Sequence, residues 1–280
     1  MTHVHQDGVL DVGLCRNAAG RTVLSSLRHR FPLRMTVPLY LDAEDPAMAF
    51  LYVQNPTGAV LAHDRLSTAV SAGPGSRVHV TTQSATKIHR MADGEGVSDV
   101  AFTLAPDSYV EQVPDPLIPQ AGSRYRQRTV VDMDASACFI GCETVAPGRR
   151  LCGERFAYDG LSLHTEVRVG GQPVCIDRLE LRPNADVPAS AGGMLLDRHY
   201  LVSMLVVAPE RDAVSLEAKL DAAIAQEPGV VGGAGALPDG VGVLARVLAT
   251  DGLQAQASLH RIWAQARLTL LGLPLPSVRK

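Results

Sequence analysis

Leu161-Ser-Leu-His-Thr-Glu-Val-Arg-Val169 alternates apolar and polar residues without a break, and Gly170-Gly171 follows at once. Side chains of an extended strand point to opposite faces in turn, so the stretch reads as a half-buried strand. Paired glycines are what a two-residue hairpin turn asks for. The returning run, Val174-Cys-Ile-Asp-Arg-Leu-Glu-Leu181, is then a second strand, stopped by Pro183-Asn184. Outward from this hairpin, residues 47–54, 77–83, 97–104, 129–133 and 195–207 carry similar strand patterns. Turn signals separate them at Asn55-Pro-Thr-Gly58, Gly73-Pro-Gly75, Asp93-Gly94 and Pro114-Asp-Pro116. The reading is a mainly β body over about residues 1–208.

The period changes in the last third. Over 215–227, Leu216, Leu220, Ala223 and Ile224 share one helical face. A second helix is predicted over 252–271, with Asp251 as its cap and Gln254 three residues on as in a capping box. Its buried stripe is Leu259, Ile262, Trp263, Ala266 and Leu270, and Gly272 and Pro274 stop it. Residues 241–248 read as one more strand. Gly229-Val-Val-Gly-Gly-Ala-Gly235 follows a helix rather than a strand, which fails the context of a dinucleotide fingerprint, and reads as a loop. No repeat of fixed period and no linker divides the chain, so residues 1–280 are read as one domain whose helix-containing part covers about 209–280.

Composition narrows the function. The 280 residues carry 29 acidic and 26 basic side chains, a net charge of −3, with 46% hydrophobic and 20% charged residues. That profile excludes a disordered or coiled-coil chain and gives no basic surface for nucleic acid. The longest apolar run, Tyr200 to Ala208, is far short of the ~20 residues a membrane helix needs. The first residues lack a basic and then apolar leader, and five cysteines make no disulfide framework, so a cytoplasmic protein is expected. A P-loop, Gly-x-Ser-x-Gly, His-Glu-x-x-His and Cys-x-x-Cys are all missing. Cys138, Cys142 and Cys152 cluster at spacings that match no closed zinc motif, and the bland reading is buried thiols. His3 and His5 sit at the terminus; His63, His79 and His89 are spaced so that a β scaffold could gather them. Asp64, Glu143 and Asp177 lie in or beside apolar strand-like runs, and spacing alone reads each as part of a solvated strand face.

The order of short motifs is more specific. Thr81-Thr-Gln-Ser-Ala-Thr-Lys-Ile-His-Arg90 resembles the Thr-Thr-Gln-x-Ala-Thr-Lys-Val-Tyr-Arg run of the urease accessory protein UreD family, called UreH in some bacteria. Ahead of it, Asn55-Pro-Thr-Gly-Ala-Val-Leu-Ala-His-Asp-Arg-Leu66 is similar to the family's Pro-Pro-Gly-Gly-x-x-x-Gly-Asp-x-Leu loop. Behind it come Val110-Glu-Gln-Val-Pro-Asp-Pro-Leu-Ile118, then Gly148-Arg149 with Gly153-Glu154 and Phe156, and Asp177-Arg178-Leu179 with Leu181. Leu259-His-Arg-Ile-Trp263 with Arg267 resembles the family's closing helix. There are departures. Two loop glycines are replaced, one by His63; the Tyr of the Lys-x-Tyr-Arg run is His89; and the Trp before the acid at Glu143 is Cys142.

The resemblance implies a β-helix-like or sandwich-like body with two C-terminal α-helices and a maturation factor rather than an enzyme. It implies partners UreF, UreG (the GTPase) and urease apoprotein, and nickel in transit with no tightly bound cofactor. Asp64, Asp177 and Glu143 occupy the acidic positions of matched motifs and are the expected metal-path residues, with His63 beside them as a further candidate. Oxygen and imidazole donors suit a path that must bind nickel and let it go. Two other classes stand beside this: a β-scaffold carbohydrate-active enzyme with paired acids such as Asp64 and Asp177, and a simple metal-binding protein built on Cys138, Cys142 and Cys152.

Overall fold

The computed structural model describes residues 6–183, 195 and 197–277. Its first half carries β1 (Asp7–Arg16), β2 (Thr22–Arg30), β3 (Arg34–Met35), β4 (Ala49–Gln54), β5 (Arg65–Ala72), β6 (Arg77–Thr82), β7 (Thr86–Ile88), β8 (Gly96–Leu104) and β9 (Tyr109–Gln112). Then follow β10 (Leu117–Pro119), β11 (Arg124–Met133), β12 (Cys138–Val145), β13 (Gly160–Val169), β14 (Gln172–Leu181) and β15 (Tyr200–Val207). The C-terminal part is α1 (Ala213–Ala225), β16 (Val231–Ala236), β17 (Gly242–Ala249) and α2 (Gly252–Leu271).

Two sheets face each other. The first runs β14-β13-β11-β8-β5-β1-β2 and the second β16-β17-β15-β12-β9-β6-β4-β3. The chain coils between them, β5 to β6 to β8 to β9 to β11 to β12 to β13, and each turn lands parallel to the last. The narrow strands β7 and β10 pair on a third side. Arg65 lies beside Val97, Gly96 beside Tyr125 and Tyr125 beside Leu161, so successive turns are 32, 29 and 36 residues long. That unevenness is why the solenoid left no fixed period in the sequence.

Parallel stacking puts like residues in rows. Val12, Val70, Phe102, Val131 and Val167 are register neighbours, all buried, on the inner face of the first sheet. Val78, Val110, Phe139 and Val207 form the answering row of the second. Phe102 and Phe139 meet across the gap with ring centroids 5.4 Å apart. A second core lies on the far side of the second sheet, where α1 and α2 cover Ile140, Cys142, Val202, Met204 and Val206.

The second helix starts at the cap the sequence indicates, and the first starts earlier, at a cap the sequence reading does not include. Asp251 accepts from Gln254 N, and Asp212 accepts from Ser215 N, placing α1 two residues ahead of the expected span. Gln254 turns its Oε1 back to Thr250 N, and Gly272 closes α2 at φ 71°. The β13–β14 turn is the expected one, with Gly170 and Gly171 both at positive φ. The sequence reading does not include β1, β2, β3, β5, β7, β9, β10 or β12. For β12 the reason is physical: it is buried on both faces, so alternation is lost. The segment read as a glycine loop is corrected to strand β16, antiparallel to β17. Its glycines permit close approach: a Cβ on Gly232 would stand 2.3 Å from the Arg246 carbonyl oxygen. His3, His5 and Asn184 lie outside the described residues.

What docks α2 is a buried ionic network. Glu111 on β9 is fully buried and accepts from Arg267 (2.7 Å) and Trp263 Nε1 (3.1 Å) of α2 and from Tyr109 OH (2.8 Å), with His79 Nδ1 of β6 at 2.8 Å. Arg267, also fully buried, pairs with Asp42 and donates to the Pro274 carbonyl. Burial alone would push the Glu111 carboxyl up; the hydrogen bond and charge of His79, the Arg267 charge and the Trp263 donor outweigh it and hold it below its usual range. Removing one partner of such a cluster strands a buried charge. Arg267→Ala is therefore expected to cost about 3–5 kcal/mol, seen as a lowered midpoint in thermal denaturation; an unchanged midpoint would deny the network this role.

Candidate functional site

The space between the sheets is not filled throughout. Two inward rows of the first sheet contain polar residues where others are apolar: Leu66, Ser98, Gln127 and Leu163 in one, and Thr68, Val100, Thr129, Thr165 and Asp177 in the next. Leu66, Thr68, Ser98, Val100 and Gln127 of these rows border a cavity of ≈160 Å³. At one end its wall is the exposed Gly58, Gln83, Ser84 and Lys87, so it reaches the surface there. All of Thr81 to Lys87 lines it, together with Asn55, Gly58 and Gln112. Three of the six segments that carry the resemblance, 55–66, 81–90 and 110–118, thus line one cavity. The Oγ1 of buried Thr144, also in the wall, has no hydrogen-bond partner among the described residues.

Glu143 stands at the inner end. It projects from β12, in register with Ser203 and Arg246 across β15 and β17. Its Oε1 accepts from Gln127 Nε2 at 3.0 Å, and Gln127 in turn accepts from Tyr125 OH at 3.2 Å. Burial raises its carboxyl to about 7, the nearby Asp177 charge adds to this, and the Gln127 hydrogen bond and Arg246 oppose it. Beyond Glu143 lies a second, ≈20 Å³ space walled by Thr129, Thr165, Ser203 and Asp177, which also shares Gln112 and Glu143 with the first. That is room for about one water. Asp177, from β14, closes it in an ion pair with Arg246 of β17, so the pair ties the two sheets together at this end.

The expected site residues divide. Glu143 and Asp177 come together. Asp64 does not join them: it is buried in the turn before β5, where its two oxygens accept from Gln6 N (3.1 Å) and Leu61 N (2.9 Å), and it lines neither cavity. Backbone donors, not Arg65, hold it; likewise Asp177 pairs with Arg246, while Arg178 pairs with Glu180. His63 is exposed, 3.5 Å from Asp93, and His89 is exposed, whereas His79 is spent in the Glu111 network. The paired-acid arrangement of Asp64 with Asp177 is not formed. Cys138 and Cys142 are buried on β12 and Cys152 is exposed on a short turn; among the described residues no three His, Cys, Asp or Glu side chains gather to hold a metal. Sequence reasoning missed Arg246 and Gln127. The signal for Arg246 was there, as the lone charge in the apolar run 241–248.

With the channel in view, comparison with known proteins places the chain. The family model described as UreD urease accessory protein matches residues 6–280. The chain belongs to the UreD family. A urease accessory protein UreD of Mycolicibacterium gilvum is 37% identical over 271 residues, covering 95% of this chain and 96% of that one. Urease accessory protein UreD 2 of Streptomyces griseus is 34% identical over 275 residues, covering 98% and 93%. UreD of Natronomonas pharaonis is 32% identical over 275 residues, covering 98% and 91%. Against the UreD loop motif, the replacement at His63 falls at a left-handed position, φ 67°, where glycine is the unstrained choice. Among the described residues of this UreD chain, no helix is long and apolar enough to cross a membrane.

The raised Glu143 carboxyl has a stability consequence. The folded protein holds this proton more tightly than the unfolded chain, so ionisation penalises the fold as pH rises from about 4.5 to about 7. Glu143→Gln is expected to stabilise the protein above pH 7 by roughly 2–3 kcal/mol, with the gain vanishing below the ordinary glutamate range. Thermal melts of both proteins across pH check this.

Proposed function

We propose that this chain is a non-catalytic urease maturation factor that recruits UreF and UreG to urease apoprotein and conducts nickel through its β body. The observation that carries the reading is the cavity: three segments that carry the family resemblance line it, it reaches in to Glu143, and a ≈20 Å³ space that shares Glu143 lies between it and Asp177. Nickel is cargo here, with no resident cofactor. The donors along the way are hydroxyl, amide and carboxylate oxygens, harder and weaker partners for nickel than thiolate and imidazole cages, which suits passage over storage. Asp64 serves the channel from outside by fixing the turn that leads into β5. GTP hydrolysis falls to the partner, and the setting is the cytoplasm.

Coexpression with urease and the accessory partners in limiting nickel tests this. Asp177→Ala and Glu143→Gln are each expected to leave copurification with the partners intact while urease nickel content and activity fall severalfold. Loss of partner binding in proportion to activity would make both acids structural, and undiminished nickel loading would remove them from the path. The purified chain alone is expected to turn over neither GTP nor urea.

A further inference from the structure

At the inner end, the ≈20 Å³ space beyond Glu143 is walled by Phe139, Leu205 and Leu244 as well as by polar groups, and its one carboxylate besides Glu143, that of Asp177, is held in an ion pair. Arg246 reaches across from β17 to Asp177 and so fills the carboxylate that a cation leaving Glu143 would next meet. The pair sits at the edge of the body, with the Arg246 side chain 43% exposed and that of Asp177 21% exposed. A guanidinium stays charged at any working pH, so this block cannot be relieved by losing a proton. It can be relieved by movement, because an arginine at that exposure has solvent to swing into. Glu143, by contrast, has the neutral Gln127 amide as its hydrogen-bond partner, and among the described residues it forms no ion pair, feeling Arg246 only through its nearby charge.

Resting on the nickel-path reading above, we propose that Arg246 is the selectivity latch of the channel, holding Asp177 until a divalent cation at Glu143 displaces it. A monovalent ion has the same charge as the guanidinium and lacks its directed N–H donors, so it gains nothing by exchange. A divalent ion doubles the attraction to Asp177 and can draw on Glu143 and Ser203 at the same time. The exchange breaks one ion pair and makes one metal–carboxylate contact, with Arg246 turning to water. Its charge then stands beside the exit and keeps the ion from settling there. Arg246 acts through Asp177, so it is a positioning residue rather than a ligand.

Equilibrium dialysis of the purified chain against Ni²⁺ in a sodium background tests the latch. Arg246→Gln frees the Asp177 carboxylate beside Glu143 and is expected to bind Ni²⁺ at least about tenfold more tightly than the wild type. Arg246→Lys, which keeps the charge, is expected to return to wild-type binding, and adding Asp177→Asn to Arg246→Gln is expected to abolish the gain. A structural role alone would not tighten binding or be rescued in this way. Circular dichroism melts confirm that each variant is folded. Equal Ni²⁺ affinity of folded Arg246→Gln and wild type overturns the latch, even where Glu143→Gln impairs urease loading. Undiminished loading by Glu143→Gln overturns the path reading instead, whatever Arg246→Gln binds.

Discussion

Glu111 is an ionised carboxylate with no access to water, and the architecture is arranged around that fact. Such a group is tolerated only when its lone pairs are filled and its charge is countered. The fillers come from three places: His79 on the neighbouring strand, Tyr109 on its own, and Trp263 with Arg267 on α2. Arg267 then recruits Asp42 from the segment before β4. The helix layer cannot slide or rotate on the second sheet without undoing several of these contacts together. Covering that face with helices leaves the space between the two sheets as the body's other interior, and there the packing is incomplete.

That incompleteness follows from solenoid geometry. In a parallel stack every residue of a coil lies beside its counterpart in the next, so a substitution pattern becomes a row. Rows of valine, leucine and phenylalanine zip one side shut. Where Ser98, Gln127, Thr129 and Thr165 interrupt the rows, two adjoining spaces remain, with polar groups set in mostly apolar walls. One end opens among the residues of Thr81 to Lys87, and the other is held by Asp177 with Arg246. Three of the segments that carry the family resemblance shape the larger space.

The acids show how far a sequence motif reaches. Asp64 and Asp177 hold comparable places in matched motifs, yet one is a clamp for backbone N–H groups and the other the end of a passage. The motifs alone do not distinguish them, since each is an aspartate just before an arginine, although Asp177 falls inside a strand-like run and Asp64 ahead of one. Only the direction in which each side chain points, and what the opposite sheet presents to it, separates their roles. His79 makes the same point, since a histidine grouped with His63 and His89 by position is in fact committed to Glu111.

The sequence by itself determined the β character of the body, the hairpin at Gly170-Gly171, the cap of the second helix and the family, since each is written in neighbouring residues or in the order of motifs. Turn chemistry, alternation and capping act over a few residues, and they survive in a linear text. The tertiary structure decided the rest: the uneven solenoid turns, the strand role of Gly229 to Gly235, the meeting of Glu143 with Asp177 and Arg246, and the burial of Glu111 against α2. These rest on contacts between residues up to 156 positions apart, as between Glu111 and Arg267. Charge and burial at such sites are properties of the stack of strands, and no single strand contains them.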